Sequence, residues 1–324
     1  MKLFLVSAYN VHNALDQLRE AASLDTSGAH GICDNPESAD LILFVEDAQF
    51  DDYLYSTVSK HPLVAKFPHK CRIYNEVDHP WAVLPGLYCA MPKWSFDASR
   101  QRAFQYTSTP NQLVRTIYAD PDDEGRPYLF SYVGTGCIAM RRRMIKIASQ
   151  LEGKVVDTSG FNVWDCTEEE RQAQGQVFAR TMRLSNFVLC PRGLGVASYR
   201  LYETMEAGRA PVIITDHWVA PAHTDWSFAL RLPERDLPKL GDLLRSHADE
   251  ARDRGEAARK AWEENFAPAT LFKSVGEELA ALELTLGTQS NRRLAMLRKN
   301  QVRVISSLAS GANKLRQIKR QFIR

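Results

Sequence analysis

Apolar residues recur along this chain in two rhythms, and their alternation lays out its elements. Short strand-like runs occur at Lys2–Ala8, Asp40–Val45 (DLILFV), Arg72–Val77, Tyr128–Gly134 (YLFSYVG), Lys154–Val156, Phe187–Leu189 and Val212–Ile214, and DLILFV is nearly continuous in apolar residues, the pattern of a strand buried on both faces of a parallel sheet. Between them the spacing turns helical. Asn10 stands where it can cap a helix over residues 11–22 in which Leu15 and Leu18 share a face, and residues 53–66 read as a second helix. Thr167 and Glu170 form a capping box that opens a helix over residues 168–184, whose Glu and Gln content reads as exposed surface. From Glu234 to Leu286 the pattern is helical, including a charged stretch over residues 249–264 that reads as a solvated helix.

This alternation predicts an α/β chain of two Rossmann-like domains facing each other across a cleft, an N-terminal one over residues 1–110 and a C-terminal one over 127–286. A proline-rich and acidic stretch serves as the linker, 111–126, and a basic helical tail follows over 287–324. Asp120 and Asp122 have the spacing of a metal-binding carboxylate pair, but an acidic hinge accounts for them.

With 324 residues, 44% apolar and 25% charged, the chain is globular in composition and long enough for two cores. Net charge is only +2, so the overall balance selects no partner, and a specific nucleic-acid role is not indicated. Charge distribution is more informative. Beyond Glu283 there is no acidic residue, while Arg292, Arg298, Arg303, Lys314 and Arg320 are among ten basic residues interleaved with Leu315, Ile318 and Phe322 on one helical face. That pattern predicts attachment of residues 292–324 to an anionic membrane surface, set against a helix packed back on the protein or a nonspecific basic tail. The six cysteines form no C-x-x-C pair and read as reduced thiols; neither a zinc site nor a disulfide framework is indicated. No segment reaches the roughly twenty apolar residues of a membrane span, and the first residues are too short an apolar run for a signal sequence. A cytoplasmic protein, peripheral at the inner face of the membrane, is the expected location.

Residues 186–218 concentrate the candidate chemistry. A strand ends in Cys190-Pro191-Arg192-Gly193-Leu194-Gly195, a helix starts near Ala197 or Ser198 and reaches Ala207, Gly208 follows its last turn, and Pro211 leads into a second strand. This is a right-handed βαβ crossover, and parallel sheets bind ligands at the carboxyl ends of their strands. Gly193 and Gly195 admit a ligand close to the backbone, the helix start offers N–H donors with the Ser198 hydroxyl, and Arg192 and Arg200 bracket the turn with guanidinium groups. A diphosphate fits. Glu203 would repel it unless it accepts hydrogen bonds, which the ribose hydroxyls of a nucleotide supply. The segment therefore reads as a nucleoside-diphosphate site. Gly134 and Arg141, on the preceding strand turn and helix, complete the donor side.

At these residues the chain resembles the exostosin-type glycosyltransferases. CPRGLGVASYRLYETMEAGRAPVIITDHWVAP carries the family's ordered run of PRG, a serine-x-arginine, a glutamate and an apolar PVII segment. YLFSYVG resembles the strand opening the family's donor domain, and the likeness extends through Trp226 and residues 228–233 to cover about 126–245. The resemblance implies the GT-B fold and transfer of a sugar from a nucleoside diphosphate sugar, in particular a UDP-sugar, to a carbohydrate hydroxyl on an oligosaccharide or lipid-linked glycan. It further implies a reaction without a bound metal or other tightly bound cofactor, in bacterial surface-glycan synthesis, and an inverting course if the match carries the stereochemistry; retaining relatives exist, so that alternative stays open. Eukaryotic members are usually lumenal with a membrane anchor, a pattern from which this chain departs.

An inverting transferase needs a base for the acceptor hydroxyl, and Asp78, His79 and Glu46 stand at strand ends where such a group belongs. Trp81–Trp94, rich in aromatics, reads as a packed loop or an acceptor-sugar platform. Two rivals remain open at this point. Gly134, Gly136 and Ala139 with Asp157 about twenty residues on satisfy the spacing of an NAD(P)-dependent oxidoreductase, and a non-catalytic sugar-binding protein would share the composition.

Overall fold

The computed structural model describes residues 1–49, 51–78, 80–107, 111–119, 125–161 and 166–287. The chain divides into two compact units: Met1–Met91 with Ser95–Thr107 and the chain from Leu271 onward, and Pro92–Trp94 with Ser108–Thr270.

The first unit is built on strands β1 (Lys2–Val6), β2 (Gly31–Ile32), β3 (Leu41–Glu46), β4 (Cys71–Asn75), β5 (Gly86–Tyr88) and β6 (Gln101–Ala103), all parallel, in the order β2-β1-β3-β4-β5-β6. Central β3 is buried at every position, as its unbroken apolar run requires. Asp40 falls just outside it and accepts the Lys2 N–H at 2.6 Å. Helices α1 (Asn13–Leu24), α2 (Ser56–Lys60) and α3 (Pro62–Lys66) connect the strands. Leu15 and Leu18 are buried together on α1.

The start of α1 differs from expectation. Asn10 does not cap it; the Asp47 carboxylate, just past β3, accepts the Ala14 N–H at 3.3 Å. A carboxylate distant in sequence thus replaces the local cap, which no local pattern can reveal. The Trp81–Trp94 segment also contains a strand, β5. Gly86 is required there, since a Cβ would lie 1.9 Å from the Ile73 carbonyl oxygen on β4.

The second unit contains β7 (Tyr128–Gly134), β8 (Gly153–Asp157), β9 (Ser185–Pro191), β10 (Ala210–Ile214) and β11 (Leu230–Leu232), again all parallel, in the order β11-β10-β9-β7-β8. Its helices are α4 (Ala139–Ala148), α5 (Glu168–Arg183), α6 (Tyr199–Glu206), α7 (Leu240–Ser246) and α8 (Ala251–Asn265). The capping box of Thr167 and Glu170 forms as read, and Gly208 takes the left-handed conformation (φ +62°) that ends α6. Phe130, Tyr132, Phe187, Leu189, Val212 and Ile214 form the core between sheet and helices. Trp226 is buried and donates its indole N–H to the Pro221 carbonyl.

Helix α9 (Pro268–Gly287) begins in the second unit but from Leu271 packs with the first. The Arg72 guanidinium is buried and forks onto Glu283 at 2.5 and 2.6 Å, and Arg102 donates to the Ala281 carbonyl and the Thr285 hydroxyl. Gly276 lies so close to His30 that a Cβ would meet the ring at 2.3 Å. In the expected linker, residues 112–116 form a 3₁₀ turn, whereas Asp120 and Asp122 lie outside the described residues. So does the basic segment 292–324.

Candidate functional site

The βαβ crossover is the one read from sequence. β9 delivers Arg192 at its carboxyl end, and α6 lies against the sheet with Leu201 and Met205 buried. Because α6 is short and closely packed, its carboxylates Glu203 and Glu206 are buried too. Beside it, β7 ends in Gly134, paired with Asp157 at the end of β8.

Between these strand ends, α5, α6 and the 3₁₀ turn lies a cavity of about 460 Å³. Val133, Gly134 and Thr135 form one wall and Thr158 and Phe161 another; Gln174 and Phe178 on α5 form a third, and Arg200, Glu203 and Asn111 close it. All of these belong to the second unit. The carboxyl edge of a parallel sheet is where such a cavity is expected.

Arg200 is held from several sides. Its guanidinium lies 4.7 Å from the centre of the Tyr132 ring and 5.5 Å from that of Phe178, and Nη2 donates to the Val133 carbonyl. Its Nε is buried and has no hydrogen-bond partner among the described residues. A buried, charged donor in that state is costly unless something supplies an acceptor. Gly134 makes the placement sterically possible: a Cβ there would lie 2.7 Å from the Arg200 Nη2 and 2.9 Å from the Tyr132 hydroxyl.

One turn along α6, Glu203 accepts the Asn111 backbone N–H at 3.3 Å. Burial pushes its carboxyl up to about 7; Arg200 and the Asn111 N–H pull it down, while Glu206 adds to the rise. Asn111 also donates its amide to the Gly175 carbonyl and accepts the Leu113 N–H, which fixes it between α5 and the 3₁₀ turn.

The structure thus brings together Gly134, Arg200 and Glu203 of the expected donor set. The others stand elsewhere. Arg192 does not line this cavity; its guanidinium is bound to Glu234, with Nε–Oε1 at 2.5 Å, so the expected pair of arginines around one diphosphate is not formed. Arg141 donates to the carbonyls of Arg192 and Pro191 and so braces the end of β9. A Cβ on Gly193 would touch the same Arg141 guanidinium at 3.4 Å. Gly195 is buried in the turn, and Ser198 makes no side-chain cap on α6 and lines a separate small cavity of about 10 Å³. The reason is tertiary: Glu234, at a turn following β11, reaches Arg192 from a distance in sequence that no motif spans.

Four cavity residues were hidden in the helix read as plain surface. Arg171, Gln174, Gly175 and Phe178 follow helical spacing on α5 and share the face that lines the cavity. Their spacing was the available signal. The glycine pattern of the oxidoreductase reading is also present, but its carboxylate has another role. Asp157 accepts both the N–H and the hydroxyl of Ser159, whose oxygen in turn receives the Gly136 N–H. The group that a nicotinamide site would present to a ribose here ties down the turn after β8.

In the first unit, Glu46 is fully enclosed. One carboxylate oxygen accepts the Ser7 hydroxyl at 2.8 Å and the other the Ala8 N–H at 2.9 Å, and burial pushes its carboxyl up to about 7. It ties the end of β1 to β3. Asp78 is half-buried after β4, and His79 lies outside the described residues. The neighbouring Glu76, unremarked as a site residue, accepts the Thr107 N–H, and burial pushes it up to about 8. All six cysteines are free thiols. Among the described residues, no cluster of three His, Cys, Asp or Glu could hold a metal ion, and no helix is long and apolar enough to cross a membrane.

The exostosin GT47 domain is matched over residues 61–247, more than half of the chain. The chain belongs to the exostosin GT47 family. That span begins well before Arg126 and so takes in part of the first unit. Exostosin-1 of Drosophila melanogaster is 33% identical over 84 residues, 25% of this chain and 11% of that protein. An exostosin-1 homolog of Caenorhabditis elegans is 42% identical over 65 residues, 19% of this chain and 17% of that one. A probable glycosyltransferase of Arabidopsis thaliana is 36% identical over 76 residues, 22% and 15% respectively. The matched segments therefore span less than a fifth of these relatives' own lengths. Among solved structures, WaaG, a glycosyltransferase involved in lipopolysaccharide biosynthesis, has a TM-score of 0.39 at 12% identity over 89% of this chain and 100% of that chain. MurG of Acinetobacter baumannii has 0.35 at 12% over 82% and 77%. At those scores no residue of the exostosin site takes a role from either structure.

Proposed function

We propose that this exostosin-family chain is a glycosyltransferase that moves a sugar from a nucleoside diphosphate sugar, a UDP-sugar in the first instance, to a carbohydrate hydroxyl. The observation that carries this reading is Arg200, whose guanidinium is fixed by two aromatic rings and the Val133 carbonyl at the cavity wall, one helical turn from Glu203. Charge grows on the departing diphosphate in the transition state, and a guanidinium preorganised before substrate arrives stabilises that charge without further rearrangement. Glu203 takes the ribose hydroxyls; once they donate to it, the ionised form is favoured over the protonated one.

Family membership supports the same class of reaction. With Glu46 enclosed, Asp78 and His79 remain the candidates to take the acceptor proton. The inverting, metal-independent course, the surface-glycan acceptor and membrane attachment through residues 292–324 belong to the same proposal.

Thermal unfolding with UDP against NADH tests it. A ligand at 100 times its dissociation constant stabilises by about 2.7 kcal/mol. UDP should raise the midpoint and NADH should not; the reverse result ends the glycosyltransferase reading. Mass spectrometry of nucleotide released from a panel of sugar nucleotides, with and without glycan acceptors, then identifies the donor.

A further inference from the structure

Phe178 is the cavity residue whose place the donor reading leaves unexplained. It projects from α5, a helix otherwise rich in charged and polar residues, and its ring lies over the Arg200 guanidinium at 5.5 Å. Tyr132, fully buried in the sheet, also meets this guanidinium, with its ring centre 4.7 Å away. The Tyr132 hydroxyl is tied to the Thr135 carbonyl at 3.1 Å, so one jaw is fixed by the core. The other stands on a helix face lining the cavity. An aromatic face attracts a guanidinium within about 6 Å, and more strongly once water is excluded.

We propose that Phe178 is a positioning residue: with Tyr132 it holds the Arg200 guanidinium at the cavity wall, ready for an anionic oxygen of the donor diphosphate. This rests on the donor reading above. A long arginine side chain has many rotamers, and a binding site that orders it beforehand does not lose that freedom when ligand enters. Gly134 fits the same device, because any larger residue would push against both the guanidinium and the Tyr132 hydroxyl. Leucine at 178 would fill similar space without the electron-rich face, whereas tryptophan would keep it.

Two measurements on the full chain test the clamp. The first needs no ligand: the Arg200 Nε–H resonance, assigned by its disappearance in Arg200→Lys, is compared in wild type, Phe178→Leu and Phe178→Trp. Ring faces shield the proton, so it should move downfield in Phe178→Leu and stay shielded in Phe178→Trp. An unchanged resonance in Phe178→Leu overturns the clamp. The second is UDP affinity by calorimetry, expected to fall about three- to tenfold in Phe178→Leu and to be retained in Phe178→Trp, at unchanged thermal midpoints. A shifted resonance with wild-type affinity overturns the positioning role. Should wild type itself fail to bind UDP, the donor reading fails and the positioning role with it, while the resonance still decides whether the aromatic contact exists.

Discussion

Replacing Glu203 by glutamine separates the two demands that fold and ligand place on this position. The carboxyl titrates at about 7 in the fold against an ordinary value of 4.5, chiefly because it is buried. A raised carboxyl lets the folded chain hold a proton that the unfolded chain has already released, so stability falls as pH rises between those two values. At 1.36 kcal/mol per pH unit, the full deficit above pH 8 is roughly 3 kcal/mol, and little of it remains at pH 4.5. Glutamine cannot ionise, yet its carbonyl can still accept the Asn111 N–H. Glu203→Gln should therefore be more stable than wild type at pH 8, with an advantage that grows by roughly 2 kcal/mol between pH 5 and pH 8.

The same change removes the charged acceptor for the ribose hydroxyls. Hydrogen bonds to charged groups contribute about 1.5–3 kcal/mol, so UDP affinity should fall about 10- to 100-fold. Urea unfolding at the two pH values and calorimetric titration with UDP measure both effects. Gain of stability with loss of binding marks a residue kept for function against the interest of the fold. Equal stability gaps at pH 5 and pH 8, or undiminished affinity for UDP, would refute the reasoning.

Arg192→Ala should cost about 1–3 kcal/mol of stability through the orphaned Glu234 but leave UDP affinity within threefold, and loss of UDP binding without loss of stability would return Arg192 to the donor site. Glu46→Gln should retain sugar transfer and, like Glu203→Gln, flatten the fall of stability above pH 5; abolished transfer in a folded variant would restore Glu46 as a base. Arg72→Ala should destabilise by about 1–3 kcal/mol in urea titrations, because Glu283 loses two charged hydrogen bonds, and a cost under about 0.5 kcal/mol would show that this pair adds nothing to the hold on α9.

Much of the architecture follows from local pattern. Short apolar runs suit strands of a parallel sheet covered on both sides, as DLILFV and YLFSYVG do in β3 and β7, and Gly208 ends α6 because few other residues adopt its left-handed backbone. The serine-x-arginine and glutamate of the crossover likewise placed Arg200 and Glu203 on one helix. Tertiary structure decided what these groups face. Arg192 and Arg200 bracket one turn in sequence, yet Glu234 takes the first and two aromatic rings take the second. Asp47 caps α1 in place of the nearby Asn10, and α9 returns to the first unit through Arg72 and Arg102. In each case the partner comes from a distant part of the chain. Sequence periodicity encodes which face of an element is buried, but a charged side chain is settled by whichever opposite charge, carbonyl or ring the folded chain brings within reach.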